Sequence, residues 1–122
     1  MIQLDYKDRR PLYEQVTERF QELILNGVLQ PDEKIPSVRS MAMELSVTPN
    51  TIQRAYSELE KSGYIYTVTG RGNFVSSGTA LHALHRENIL SSLKTAVMKA
   101  KSSGISREDV LETVEFIYGG VT

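Results

Sequence analysis

Asn50, Gln53, Arg54 and Ser57 fall at spacing i, i+3, i+4 and i+7. In an α-helix that spacing gathers them into one polar stripe. Asn and Gln amides bond adenine in two places, and Arg does the same to guanine or clamps a phosphate. Taken alone, the stripe is also what any solvated helix face shows. Arg39 adds a cation in the turn of chain that leads toward the stripe, where backbone phosphates would run. Arg71, between Gly70 and Gly72, can approach a phosphate or a minor groove with little steric hindrance. A Gly-Arg-Gly string equally makes a plain hairpin turn. What these residues could do together depends on the elements that position them.

The pattern predicts a first helix starting at Pro11, with Leu12, Val16, Phe20, Leu23 and Ile24 at helical spacing and Gly27 as its C-terminal cap. Residues 28–36 read as a connection punctuated by Pro31 and Pro36. Ser37 is the expected N-cap of a short second helix that turns Val38, Met41, Ala42 and Leu45 inward. A tight turn at Ser46-Val47 follows. Thr48-Pro49 then reads as a cap and a first helical residue, opening a third helix with Ile52, Ala55, Tyr56 and Leu59 inward. That helix stops at Gly63. Tyr64-Ile65-Tyr66-Thr67-Val68 has strand composition, and Asn73-Phe74-Val75 returns after the Gly70-Arg71-Gly72 turn. Helix, short helix, turn, helix and basic hairpin, in that order, describe a winged helix-turn-helix. In that fold the third helix enters the major groove by its N-terminal end. The order of elements therefore favours the nucleic-acid reading of the stripe over the bland one.

Ser76-Ser77-Gly78 marks the expected junction, giving a winged unit at 1–76 and a helical tail at 77–122. Charge differs across it. Lys34, Arg39, Arg54, Lys61 and Arg71 against Glu44, Glu58 and Glu60 give residues 34–76 a net +2, and five basic against five acidic groups leave 77–122 at zero. The whole chain carries 14 basic and 15 acidic residues, a formal −1, which excludes a histone-like polycation and confines any nucleic-acid binding to a local patch. With 122 residues, 40% of them hydrophobic, one small domain with an appendage is expected. There is no cysteine, hence no disulfide, thiolate metal site or cysteine nucleophile. His82 and His85 stand at i, i+3, a spacing that can hold a metal, with no obvious carboxylate to complete the set. No G-x-S-x-G string appears, and Gly70-Arg71-Gly72 is too short for a phosphate-binding fingerprint. No cofactor or metal is expected, and no enzyme activity. No run approaches the roughly 18 apolar residues of a membrane helix, and the opening MIQLDYKDRR has no apolar signal core. A soluble cytoplasmic protein is expected.

The tail reads as a long helix over 79–102, broken at Gly104, and a final helix capped at Ser106 that ends at Gly119-Gly120. Leu81, Leu84, Ile89, Leu93 and Val97 stripe the first, and Val110, Val114 and Ile117 the second. Two amphipathic helices cannot bury such stripes alone. Packing against a second copy would cover them and give a C2 homodimer presenting two reading helices to a palindromic site; the alternative is that the tail folds back on its own winged unit, and both can occur together.

KIPSVRSMAMELSVTPNTIQRAYSELEKSGYIYTVTGRGNFV resembles the DNA-binding domain of the GntR family of bacterial repressors, and RPLYEQVTERFQELILNGVLQPDEKIPSVR is similar too. PLYEQV, NTIQRAYSELEKSGYIY and only about 45 residues after the wing point to its YtrA-like branch. The resemblance implies DNA contacts at Arg39, Thr48, Pro49, Asn50, Gln53 and Gly72, with Arg71 as neighbour. It also implies a repressor that occludes a promoter, often of a transporter operon beside its own gene. Pro49 and Gln53 stand where many members carry arginine, which bears on base preference. Asp32 replaces a frequent glycine, a change expected to leave function untouched. The tail is too short for the effector-binding or aminotransferase-like domain of larger members. Nothing in the sequence names an effector. The competing class is a winged-helix module whose third helix binds protein instead of DNA.

Overall fold

The computed structural model describes residues 2–77 and 80–119. It contains α1 (Leu12–Leu25), α2 (Val38–Leu45), α3 (Pro49–Lys61), β1 (Ile65–Val68), β2 (Gly72–Val75), α4 (Ala80–Ser102) and α5 (Arg107–Tyr118). The fold is mostly helical with one antiparallel hairpin, in the expected order. By its contacts the chain forms two compact units, Met1–Leu84 and His85–Thr122.

In the first unit the local signals act as their chemistry requires. Ser37 accepts from the Ser40 amide, and Thr48 from the Thr51 amide, at the starts of α2 and α3. Each satisfies one amide that the first helical turn leaves open. Pro11 stands one position earlier than expected, as the N-cap of α1 and not its first helical residue. Ser46, at φ 56°, makes the left-handed bend between α2 and α3.

The core collects the inward faces of α1, α2 and α3. Val16, Phe20, Met41, Ile52, Ala55 and Leu59 have no exposed surface. Phe20 meets Tyr56 edge-on, with centroids 5.5 Å apart and planes at 86°. Tyr64, Ile65 and Val75 bring the hairpin onto the same core. The chain's start joins it as well. Ile2 is buried there, and the buried Gln15 holds the segment down, its Oε1 accepting from the Asp5 amide at 2.8 Å and its Nε2 donating to Asp5 O at 3.1 Å.

The connection before Pro36 is not a plain loop. Its backbone runs along β2 as an added edge. The Asp32 amide donates to Val75 O, the Val75 amide to Glu33 O and the Ile35 amide to Asn73 O, all at 2.8–2.9 Å. Lys34 bridges Phe74. Asp32 holds φ 64° there, a conformation that glycine adopts without strain, and its carboxylate accepts from the Tyr66 hydroxyl at 2.8 Å. The aspartate thus ties the connection to the hairpin.

The first unit extends past the expected junction at Ser76-Ser77-Gly78, of which Gly78 lies outside the described residues, as do Thr79 and Gly120. Leu81 packs on the core, and Leu84 is half-buried beside Gly63. Both leucines, expected in the dimer stripe, thus lie within the first unit, Leu81 half-buried against its core and Leu84 beside Gly63.

In the second unit Ser106 caps α5 by accepting from the Asp109 amide. Here α4 and α5 barely touch. Ile89, Leu93, Val97, Leu111, Val114, Phe116 and Ile117 are all exposed, and Val110 is half-buried. Among the described residues no helix is long and apolar enough to cross a membrane.

Candidate nucleic-acid interface

The phase of α3 is fixed by Ile52, Ala55, Tyr56 and Leu59, all buried. Asn50, Gln53, Arg54 and Ser57 are therefore turned outward, and all four are exposed. Tyr56 sets the helix against the preceding chain as well. Its hydroxyl donates to Pro36 O at 2.7 Å, and burial, with Glu44 nearby, pushes its pKa above the usual tyrosine value. Helix α3 is thus held by an apolar face and a hydrogen bond, with its polar face turned outward.

Within that face the residues do not behave alike. Gln53 Nε2 reaches Ser57 Oγ at 3.4 Å, so these two share the outer edge. Arg54 turns toward α1, where its guanidinium carbon lies 3.9 Å from the centroid of the Tyr13 ring. A notch of about 370 Å³ beside it is lined by Pro11, Leu12, Tyr13, Asn50, Thr51 and Arg54. The Thr48 hydroxyl is engaged as the cap and lies 3.0 Å from Thr51 Oγ1. Pro49 is exposed at the helix start, its missing amide costing nothing there.

Arg39 is exposed on the first turn of α2, and Arg71 is exposed at the hairpin tip. In the hairpin Ile65 pairs with Val75, Tyr66 with Phe74, Thr67 with Asn73 and Val68 with Gly72. Tyr66 and Phe74 stack at 5.6 Å on one side. Thr67 Oγ1 donates to Asn73 Oδ1 at 2.7 Å across the strands. The Tyr66 hydroxyl pKa is raised, chiefly because its proton is held by Asp32. Gly72 is half-buried under the Lys34 stem: a side chain at position 72 would begin 2.9 Å from Lys34 Cε.

Lys34, not singled out from the sequence, is an exposed cation whose side chain lies beside Gly72. Its signal is the alternation of Glu33, Lys34 and Ile35 before Pro36, masked by the flanking prolines. Among the described residues the ion pairs are Arg10 with Asp8 and Glu18, and Arg19 with Glu22. Arg39, Arg54 and Arg71 have no carboxylate at that range. Exposed guanidiniums without a carboxylate partner suit phosphate oxygens, which accept two parallel N–H bonds from one arginine. Among the described residues no group of three His, Asp or Glu side chains could hold a metal, His82 and His85 included.

The description "Bacterial regulatory proteins, gntR family" matches residues 12–75, from the first residue of α1 to the last of β2. The HTH-type transcriptional repressor YtrA of Bacillus subtilis is 37% identical over 123 residues, spanning 99% of this chain and 95% of that protein. A GntR family transcriptional regulator from Listeria monocytogenes superposes with a TM-score of 0.63 at 31% identity, over 92% of this chain and 97% of its own. AraR(DBD) in complex with operator ORE1 superposes with a TM-score of 0.54 at 33% identity, over 62% of this chain and 93% of its own. These relatives are transcriptional regulators and not enzymes. With the winged fold, the outward polar face of α3 and matches along nearly its full length, the chain belongs to the GntR family of bacterial transcriptional regulators, in its YtrA-like branch.

Proposed function

We propose that this chain is a cytoplasmic, sequence-specific repressor that binds a palindromic operator as a homodimer and occludes a promoter. The observation that carries the reading is the exposed Asn50–Gln53–Ser57 face of α3, fixed in phase by a buried opposite face, with Arg54 exposed on the same helix. Asn50 and Gln53, on the first turns of α3, read base edges. Arg39, Arg54 and Arg71 serve phosphates or the minor groove, with Thr48, Pro49 and Gly72 lining the approach. AraR(DBD) is held on its operator in the solved complex, which supports the same use of this fold here. The winged unit, 1–76 with the first turns of α4, binds DNA, and the remaining tail assembles the dimer through Ile89, Leu93, Val97, Val110, Val114 and Ile117. These side chains meet too little of their own chain to be covered, so a second copy supplies the missing surface. A transporter operon beside its own gene is the target this branch suggests.

The test is a titration of the full chain against the DNA upstream of its gene and against random duplex, at several salt concentrations. Gln53→Ala should weaken cognate binding by about 1–3 kcal/mol and leave random binding nearly unchanged. Absent or salt-insensitive binding of the wild-type chain sinks the reading and favours a protein-binding third helix.

A further inference from the structure

Arg54 is set apart within the polar face by its contact with Tyr13, the guanidinium carbon lying over the ring at 3.9 Å from its centroid. A guanidinium lying over an aromatic ring is attracted through its flat face. Its N–H groups lie in the guanidinium plane and stay free to donate. Arg54 is exposed, and among the described residues no carboxylate pairs with it. Tyr13 is half-buried and packs on the core of the winged unit, so the ring that carries Arg54 is itself anchored. The guanidinium is thereby held at the α1 side of α3, beside the notch shared by Pro11, Leu12, Tyr13, Asn50, Thr51 and Arg54. Gln53 and Ser57, in contact with one another, take the other edge.

We propose that Tyr13 is a positioning residue for DNA recognition. It turns Arg54 away from the base edges and presents it to a backbone phosphate seated at the notch, so that sequence is read by Asn50 and Gln53. The inference rests on the DNA-binding reading above and adds to it a residue of α1 that faces no base. An arginine one position from Gln53 would otherwise compete for the same bases, with guanine as its preferred partner. The tyrosine ring thus shapes specificity by removing a reader.

The experiment is a double-mutant cycle on the full chain, read as affinity for operator and for random duplex across a salt series. Arg54→Ala should weaken both DNAs alike and reduce the salt slope by about one. Tyr13→Phe keeps the ring face and should bind as the wild type. Tyr13→Leu removes it and should lose about two- to fivefold on both DNAs, the range of an exposed cation–π contact. The Tyr13→Leu/Arg54→Ala double variant should lose no more than Arg54→Ala alone. A randomised-site selection with Tyr13→Leu should admit guanine at a position where the wild type holds adenine.

Additive losses in the cycle overturn the proposal, as does a Tyr13→Phe loss equal to that of Tyr13→Leu. An Arg54→Ala variant that loses only cognate affinity, at an unchanged salt slope, would make Arg54 a base reader. That last result holds even if Tyr13→Leu fails to fold, because Arg54 is an exposed side chain. Each of these outcomes leaves salt-dependent binding by the wild type intact, whereas loss of that binding sinks the DNA reading itself.

Discussion

The two units of this chain solve opposite problems with similar residues. The first leaves Phe20 with 0% of its surface exposed, whereas the second leaves Ile117 at 69% and Phe116 at 68%. Both have helices opened by serine or threonine caps, α2 and α3 in the first and α5 in the second, but α4 lacks the sharply one-sided apolar face of α1–α3. They differ in whether the chain brings enough apolar neighbours. In the first unit three helices, a hairpin and the N-terminal segment converge on one core. In the second, two helices have mainly one another and barely touch. Local helix formation is therefore separable from burial. The first unit covers its apolar faces from within, and the second leaves its apolar side chains exposed.

The sharpest way to break this contrast is to delete an apolar side chain from each unit. Phe20→Ala should cost about 3–5 kcal/mol, because it opens a cavity where α1 meets Tyr56. Urea unfolding followed by circular dichroism reads the loss. Ile117→Ala should change unfolding of the dilute single chain by under about 0.5 kcal/mol, as an exposed substitution does. It should weaken self-association in sedimentation equilibrium tenfold or more, the scale of one buried isoleucine at an interface. If Ile117→Ala leaves association unchanged, that exposed surface is not the dimer seam.

Much of the first unit was legible because its signals are local. Ser37, Thr48 and the period of Ile52, Ala55, Tyr56 and Leu59 each act within one or two turns, and α3 follows from them. The unread parts depend on partners distant in sequence. The edge formed by Asp32–Ile35 hides between two prolines, and its acceptors lie about forty residues on, in β2. Arg54 belongs on the polar stripe by spacing, yet only the packing of α1 against α3 brings Tyr13 beneath it. Leu81 and Leu84 fit the periodic stripe of α4, and periodicity cannot tell which surface a stripe faces. Asp32 looked like a neutral replacement for glycine. In the fold it keeps the left-handed backbone and adds a bond to Tyr66.

A second, smaller effect tests whether the first unit's stability has a polar component. Tyr56 is buried, and its hydroxyl donates to Pro36 O. Its pKa is raised in the folded chain, so the neutral form is favoured there. The stability tied to that raised pKa is present below the ordinary tyrosine value of about 10 and is lost as pH rises beyond it. Tyr56→Phe should cost about 1–2 kcal/mol at pH 7, since Pro36 O loses its donor. The same variant should show a flatter decline than wild type between about pH 10 and 12. Equal alkaline slopes in denaturant titrations would assign that decline to another group.

The finest comparison uses two glycines that share a backbone conformation and differ in surroundings. Gly63 ends α3 at φ 84°, and Gly104 breaks the chain between α4 and α5 at φ 82°. Either one, replaced by alanine, takes on the strain of a left-handed residue with a Cβ, about 1–2 kcal/mol. At Gly104 nothing lies within 4 Å of the new carbon. At Gly63 the carbon would start 2.6 Å from Leu84 Cδ2, so the leucine has to swing away from its packing. The backbone term is common to both, and the difference isolates that contact. Gly63→Ala should therefore cost more than Gly104→Ala, by up to about 1 kcal/mol, because a flexible leucine end yields more readily than backbone. Native-state hydrogen exchange can assign each loss to its own unit, the amides of α3 and the hairpin for Gly63→Ala, those of α5 for Gly104→Ala. Measured in a Leu84→Ala background, Gly63→Ala should cost the backbone term alone. If Gly63→Ala in that background still costs more than Gly104→Ala by the full margin, Leu84 does not press on the end of α3.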